Sequence, residues 1–97
     1  MGIAVIIPTL NAEAGLGATL RSVAEAEEVI VIDGGSEDAT VRLARSAGAR
    51  VKESTRGRGQ QMRAGADMAT QDWLLFLHAD TILAPGWRTH VDAFTDG

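Results

Sequence analysis

Residues 28–53 read EVIVIDGGSEDATVRLARSAGARVKE, and a strand, a turn, a helix and a second strand can be parsed from them in that order. Val29 to Ile32 is an unbroken run of β-branched residues without polar alternation. That is the pattern of a strand covered on both faces, as in parallel sheets. Asp33-Gly34-Gly35-Ser36 then reads as a tight turn whose glycines supply φ > 0. Asp38 stands where a helix cap belongs. Val41 and Ala44 form an inward face, and Gly48 sits where a C′ glycine ends a helix near Ala47. Ala49 to Glu53 is a weaker strand.

The same alternation extends outward. Ile3 to Ile7 and Trp73 to Leu77 are further apolar runs of the doubly covered kind. Leu16, Leu20, Val23 and Ala24 fall on one face of a helix, with Asn11 as its expected N-cap. Met62, Gly65, Ala66 and Ala69 make a stripe of small residues suited to close packing on a sheet. Pro85 and Gly86 open a last short helix near Trp87 to Phe94. The order β-α-β-α-β-α-β-α predicts a Rossmann-like α/β fold. It has a parallel sheet in the order 3-2-1-4, flanking helices and right-handed crossovers. Ligands in such sheets bind beyond the carboxyl ends of the strands.

The 97 residues suffice for one small domain. A net charge of −4 argues against a nucleic-acid partner, which usually demands a basic face. The absence of cysteine removes disulfides and thiolate metal sites. The apolar N-terminal run is too short for a signal peptide or a membrane span, so a cytoplasmic location is expected. With no tyrosine and 4% aromatic residues, platforms for stacking carbohydrate are few.

Polar residues gather where the strands end. Strand one runs into Pro8-Thr9-Leu10-Asn11-Ala12-Glu13, strand two into Asp33 through Asp38, and strand four into His78-Ala79-Asp80. The topology brings these carboxylates to one sheet edge, where they repel unless donors or a cation neutralise them. A hard divalent cation shared with phosphate oxygens is one solution. Turn formation and capping are the plainer alternative for each acid. The run Arg56-Gly57-Arg58-Gly59 is either a solvated loop or, beside a helix start, a seat for a diphosphate. The loop is not a Walker motif, since no Gly-Lys-Ser/Thr follows, and the lack of a G-x-G-x-x-G after strand one speaks against a dinucleotide fold.

Four segments in register, VIIPTLNAE (5–13), EVIVIDGGSEDAT (28–40), RGRGQQMRAGA (56–66) and WLLFLHADT (73–81), resemble the family 2 glycosyltransferases of the A-type fold. The likeness is to a bacterial subgroup with D-G-G-S and L-H-A-D motifs. The resemblance implies that Pro8, Thr9, Asn11 and Glu13 line a nucleoside pocket. Asp33, with Gly34 and Gly35 in its motif, would contact the base, commonly uracil, and Arg58 would lie near the nucleotide. Asp80 matches the last acid of the D-x-D motif and would hold Mn2+ or Mg2+ on the diphosphate. His78 replaces the first acid of that motif, so a metal contact through its imidazole is an open expectation. Arg63 stands where asparagine is common in the family, which leaves a nucleotide contact there open as well.

A complete domain of this kind exceeds about 200 residues, near the upper end of common domain sizes. The resemblance therefore implies an incomplete A-type domain over residues 1–97. It would bind a nucleoside-diphosphate sugar, with the acceptor site and the catalytic base elsewhere, and no catalytic residue is assigned. Trp73, Trp87 and Phe94 are then expected to be exposed, favouring self-association. Asp92 and Asp96 read as solvated carboxylates. A nucleotidyltransferase is the alternative enzyme, although its basic residue after strand one is missing from Thr9 to Gly17. A non-catalytic nucleotide-binding module is the alternative binder.

Overall fold

The computed structural model describes residues 2–96, the side chains of residues 94–96 excepted. Its elements are β1 (Ile3–Thr9), α1 (Glu13–Ser22), β2 (Glu28–Asp33), α2 (Thr40–Ser46), β3 (Arg50–Glu53), α3 (Arg58–Met68), β4 (Trp73–Phe76) and α4 (Trp87–Asp96). The strands form one parallel sheet in the order β3-β2-β1-β4, as the βα alternation requires. β1 is central, pairing Thr9 with Asp33 of β2 on one side and Ile6 with Phe76 of β4 on the other. This register sets the ends of three motif segments side by side.

Alternate residues of β1 serve two cores. Ile3, Val5 and Ile7 pack with Leu16, Leu20, Val23, Ala44 and Trp87 under α1, α2 and α4. Ile6, with Ile30 and Ile32 of β2, packs against Ala64, Ala66, Met68 and Ala69 of and beside α3. α3 lies close to the sheet because Gly65 is buried there; a Cβ at that position would stand 2.3 Å from Ile6 Cγ2 and 3.3 Å from Ile32 Cγ1. Gly65→Ala should therefore destabilise by about 1–2 kcal/mol, since overpacking exceeds the gain in helix propensity. Gly59→Ala, in the same helix but with open space at the Cβ position, should be neutral or stabilising. Denaturation midpoints of the two variants test the contrast; equal midpoints would refute the close-packing account.

The helix starts differ from expectation. Asn11 is not the cap of α1: the N-cap position is Ala12, without a side-chain bond of its own. Asn11 instead adopts φ 49°, a left-handed conformation that asparagine tolerates, and its Oδ1 accepts from Glu37 N at 2.9 Å. The first amides of α1 are capped from across the sheet edge. Ala12 N donates to Thr40 Oγ1 at 2.9 Å and Glu13 N to Asp38 Oδ2 at 3.2 Å. Asp38 likewise precedes the N-cap of α2, Ala39, and bonds Thr40 rather than capping in the expected position. At the other end of α2, Gly48 has φ 86°, and Gly48 N and Ala49 N return to Arg45 O and Ala44 O. This is the C′ glycine termination the sequence predicts.

β4 corrects another expectation. Among the described residues it stands at the edge of the sheet with its faces partly open: Trp73, expected at the surface, is 39% exposed, and Leu74 and Phe76, read as doubly covered, are 39% and 43% exposed. Trp87, expected at the surface, is buried in the α1 core because α4 folds back over it. The Phe94 and Asp96 side chains lie outside the described residues. Asp92 is not a lone solvated acid; it accepts from Arg88 Nε at 2.9 Å, while Arg88 Nη1 reaches Glu27 at 2.6 Å. No helix among the described residues is long and apolar enough to cross a membrane.

Candidate donor site at the carboxyl ends of the strands

A cleft of about 460 Å3 opens beyond the ends of β1 and β4, within the size range of small-molecule sites. It is lined by Pro8, Thr9, Leu10 and Asn11 from the β1 exit and by Ala12, Ala14 and Gly15 from α1. Arg58 and Gln61 of α3 and the His78-Ala79-Asp80 turn complete the wall. The lining carries two formal charges, Arg58 and Asp80. Arg58 is the first residue of α3, the end at which a helix presents unpaired backbone amides.

The turn bearing Asp80 is anchored rather than loose. Thr19 Oγ1 donates to Ala79 O at 2.8 Å, and Leu83 N donates to Ser22 Oγ at 3.1 Å. α1 packs beside this turn at Gly15, where a Cβ would make only an ordinary van der Waals contact with Asp80 at 3.7 Å. His78 is held differently: Arg58 Nη2 is 3.3 Å from His78 Nδ1.

Asp33 is fully buried and does not line the cleft. Its Oδ1 accepts from Thr9 Oγ1 at 2.7 Å and Ser36 Oγ at 2.5 Å, and its Oδ2 from Gly35 N at 3.1 Å and Ser36 N at 2.7 Å. Burial by itself would raise the Asp33 carboxyl, but the Ser36, Thr9 and Gly35 donors outweigh it and hold the group below the ordinary aspartate range. The Asp33 carboxylate, expected to contact a base, is turned to these donors one layer behind Thr9 and away from the cleft lining. Gly34, Gly35 and Glu13 also lie outside the lining. The structure brings together Pro8, Thr9, Asn11, Arg58, His78 and Asp80 of the residues anticipated from sequence.

Gln61 is the site residue that sequence reasoning misses. It is 4% exposed, and its Nε2 donates to Thr9 O at 3.0 Å and Ile32 O at 2.8 Å. Its Oε1 accepts from Gly57 N at 3.2 Å, so one side chain ties β1, β2 and the start of α3 together. Gly34 is small for this reason; a Cβ on it would press on the Gln61 amide at 3.0–3.2 Å. A glutamine in a polar helical turn carries no outward sign of this role. The pairing of Gly34 with Gln61 becomes visible only when β2 and α3 are superposed in space.

Residues 4–95 match the pattern of glycosyl transferase family 2. The chain belongs to that family. A PGL/p-HBAD biosynthesis glycosyltransferase of Mycobacterium tuberculosis is 40% identical to it over 90 residues, covering 81% of this chain and 35% of the relative. The chain thus spans about a third of the length of the curated relatives it matches. Among solved structures, S. aureus TarS 1-349 superposes on 99% of the chain with a TM-score of 0.86 at 26% identity, over 32% of TarS 1-349. Glucosyl-3-phosphoglycerate synthase from M. tuberculosis, solved in complex with UDP, superposes on 99% with a TM-score of 0.85 at 27% identity, over 40% of that enzyme. The same synthase solved with Mn2+, UDP and glucosyl-3-phosphoglycerate superposes on 95% at 24% identity with a TM-score of 0.80, over 38% of its length, a likeness of fold. These neighbours are glycosyltransferases of the A-type architecture, and the sheet order of this chain is part of it.

Proposed function

We propose that residues 1–97 form the donor-binding part of a glycosyltransferase that takes a sugar from a nucleoside diphosphate, with UDP the favoured carrier. The observation that carries this reading is the convergence of three separate motif segments on one cleft. These are the Pro8–Asn11 exit, the Arg58 helix start and the His78–Asp80 turn. Pro8, Thr9 and Asn11 form the nucleoside wall, Arg58 and the start of α3 receive the diphosphate, and Asp33 holds Thr9 and the Gly34-Gly35 turn in place.

A diphosphate entering beside Asp80 brings like charges together, which a divalent cation relieves. Among the described residues no group of three His, Asp or Glu could hold a metal by itself. One exposed carboxylate still fits a cation of the Mg2+ or Mn2+ class, which takes one or two carboxylates and fills its sphere with phosphate and water oxygens. Asp80 would be that ligand, and the cation would offset charge developing on the leaving diphosphate. The acceptor, and the surface formed by the exposed apolar residues of β4, belong to the same proposal. That edge is a place for association with further protein, a second copy included.

Titration calorimetry on the purified protein tests the reading. UDP should bind with Mn2+ present, more weakly after chelation, and uridine should bind more weakly still. An absence of binding by UDP and uridine alike, with and without Mn2+, would overturn the donor-site reading. Preference for a nucleoside triphosphate over UDP would instead favour a nucleotidyltransferase.

A further inference from the structure

His78 occupies the position at which an acidic residue would add a second metal contact, and its surroundings argue for a different use. We propose that His78 and Arg58 act as a pair on the diphosphate of the donor. In this pair His78 contributes an N–H to a phosphate oxygen, not a lone pair to the cation. The inference rests on the donor-site reading above and assigns this residue's part in it.

Arg58 Nη2 lies 3.3 Å from His78 Nδ1. A guanidinium has donors and no acceptor, so in this contact Nδ1 must accept. The ring hydrogen is then on Nε2, and Nε2 has no lone pair to offer a metal. A histidine that ligates through Nε2 carries its hydrogen on Nδ1 and gives it to a carboxylate, a carbonyl or water. Arg58 is none of these, and such a ring would set two donors against each other. Ligation through Nδ1 would displace Arg58 instead. Each metal-binding tautomer therefore breaks the contact, whereas an anion accepts from both side chains at once.

The placement fits this use. Arg58 and His78 both line the main cleft and, with Pro8, also line the adjoining cavity of about 240 Å3 bounded by Met62, Phe76 and Leu77. They form the wall between the two spaces. Gln61 holds the start of α3, and with it Arg58, against the ends of β1 and β2 through three hydrogen bonds. The pair thus has a rigid base on one side, and its open side meets the cleft.

The test compares UDP and uridine binding by calorimetry, with Mn2+ and with chelator, in wild type and four variants: His78→Gln, His78→Asp, Arg58→Ala and the Arg58→Ala/His78→Asp pair. If His78 is a donor to phosphate, His78→Gln, which keeps an N–H, should hold UDP affinity within about threefold. His78→Asp should weaken UDP binding in chelator by about tenfold or more, because a carboxylate repels the diphosphate. Uridine affinity should be the same in all of them. His78→Asp in an Arg58→Ala background should lose less than in wild type, the sign of a coupled pair. Tighter UDP binding by His78→Asp with Mn2+, together with loss of the Mn2+ effect in His78→Gln, would make His78 a metal ligand and overturn the proposal. So would a parallel loss of uridine affinity, which marks a structural role. Failure of wild type to bind UDP at all defeats the donor-site reading itself, an outcome distinct from either.

Discussion

Asp80→Ala should weaken UDP binding in the presence of Mn2+ by about ten- to a hundredfold, equivalent to about 1.5–3 kcal/mol for a bond to a charged group. In chelator the same substitution should change little or tighten binding, since it removes a negative charge from beside the diphosphate. Uridine affinity should be untouched. The expectation follows from Asp80 being exposed on a turn whose backbone is anchored by Thr19 and Ser22 independently of its carboxylate. Calorimetric titrations of wild type and variant, each with Mn2+ and with chelator, give the four constants needed. A variant whose Mn2+ dependence equals that of wild type would remove Asp80 from the metal site.

Asp33→Ala should have the opposite profile: a large loss of stability, and weaker nucleoside binding with the Mn2+ dependence kept. The carboxylate accepts four hydrogen bonds in a fully buried setting. Removing it strands Thr9, Ser36 and the Gly35 amide, and should destabilise by about 3 kcal/mol. The donors hold the folded-state Asp33 below its ordinary value, so the unfolded chain takes up a proton first as the solution is acidified. The stabilisation is therefore complete above pH about 4, near the unfolded value, and is lost as pH falls through the depressed folded value. Glu27, lowered to about 2 chiefly by the Arg88 hydrogen bond, adds loss of the same sign. Denaturation midpoints at pH 7 and pH 3 should fall for wild type and fall less for Asp33→Asn. Identical pH slopes in the two proteins would show that the Asp33 network contributes nothing.

The order of the sheet was legible because each of β1 and β2 is a run of Val and Ile with no polar interruption, and because the strands alternate with helices. A continuous apolar run does not say how many neighbours a strand has, however. Trp73 to Leu77 reads like Val29 to Ile32, yet among the described residues β4 stands at the edge of the sheet, with Trp73, Leu74 and Phe76 partly open to solvent. The caps were misread for a related reason. Asn11 and Asp38 are good cap residues near the right places, but Asn11 serves the Glu37 amide 26 positions away, and Asp38, besides the nearby Thr40 amide, serves that of Glu13 across the loop pair, 25 positions away. Local sequence scores only local partners. Among site residues, Pro8, Thr9, Asn11, Arg58, His78 and Asp80 were legible as strand-end and helix-start positions. Asp33 was legible as important but not as buried, since depth behind Thr9 depends on register. Gln61 was invisible, because its value lies in bonds to two strand carbonyls that no helical periodicity reports.

The balance of Arg58 against Asp80 in the cleft lining bears on how fast a donor arrives, not only on how firmly it stays. Many phosphate-binding clefts are net positive and draw their ligands in through a long-range field, at rates that fall steeply with salt. Here the two wall charges cancel, and the chain as a whole carries −4. An incoming diphosphate meets no attracting field from these residues, and an overall repulsion at low ionic strength. Salt should therefore hasten encounter where it usually slows it, and a nucleotide arriving with its cation already bound, its charge largely offset, would be captured more readily than the bare anion.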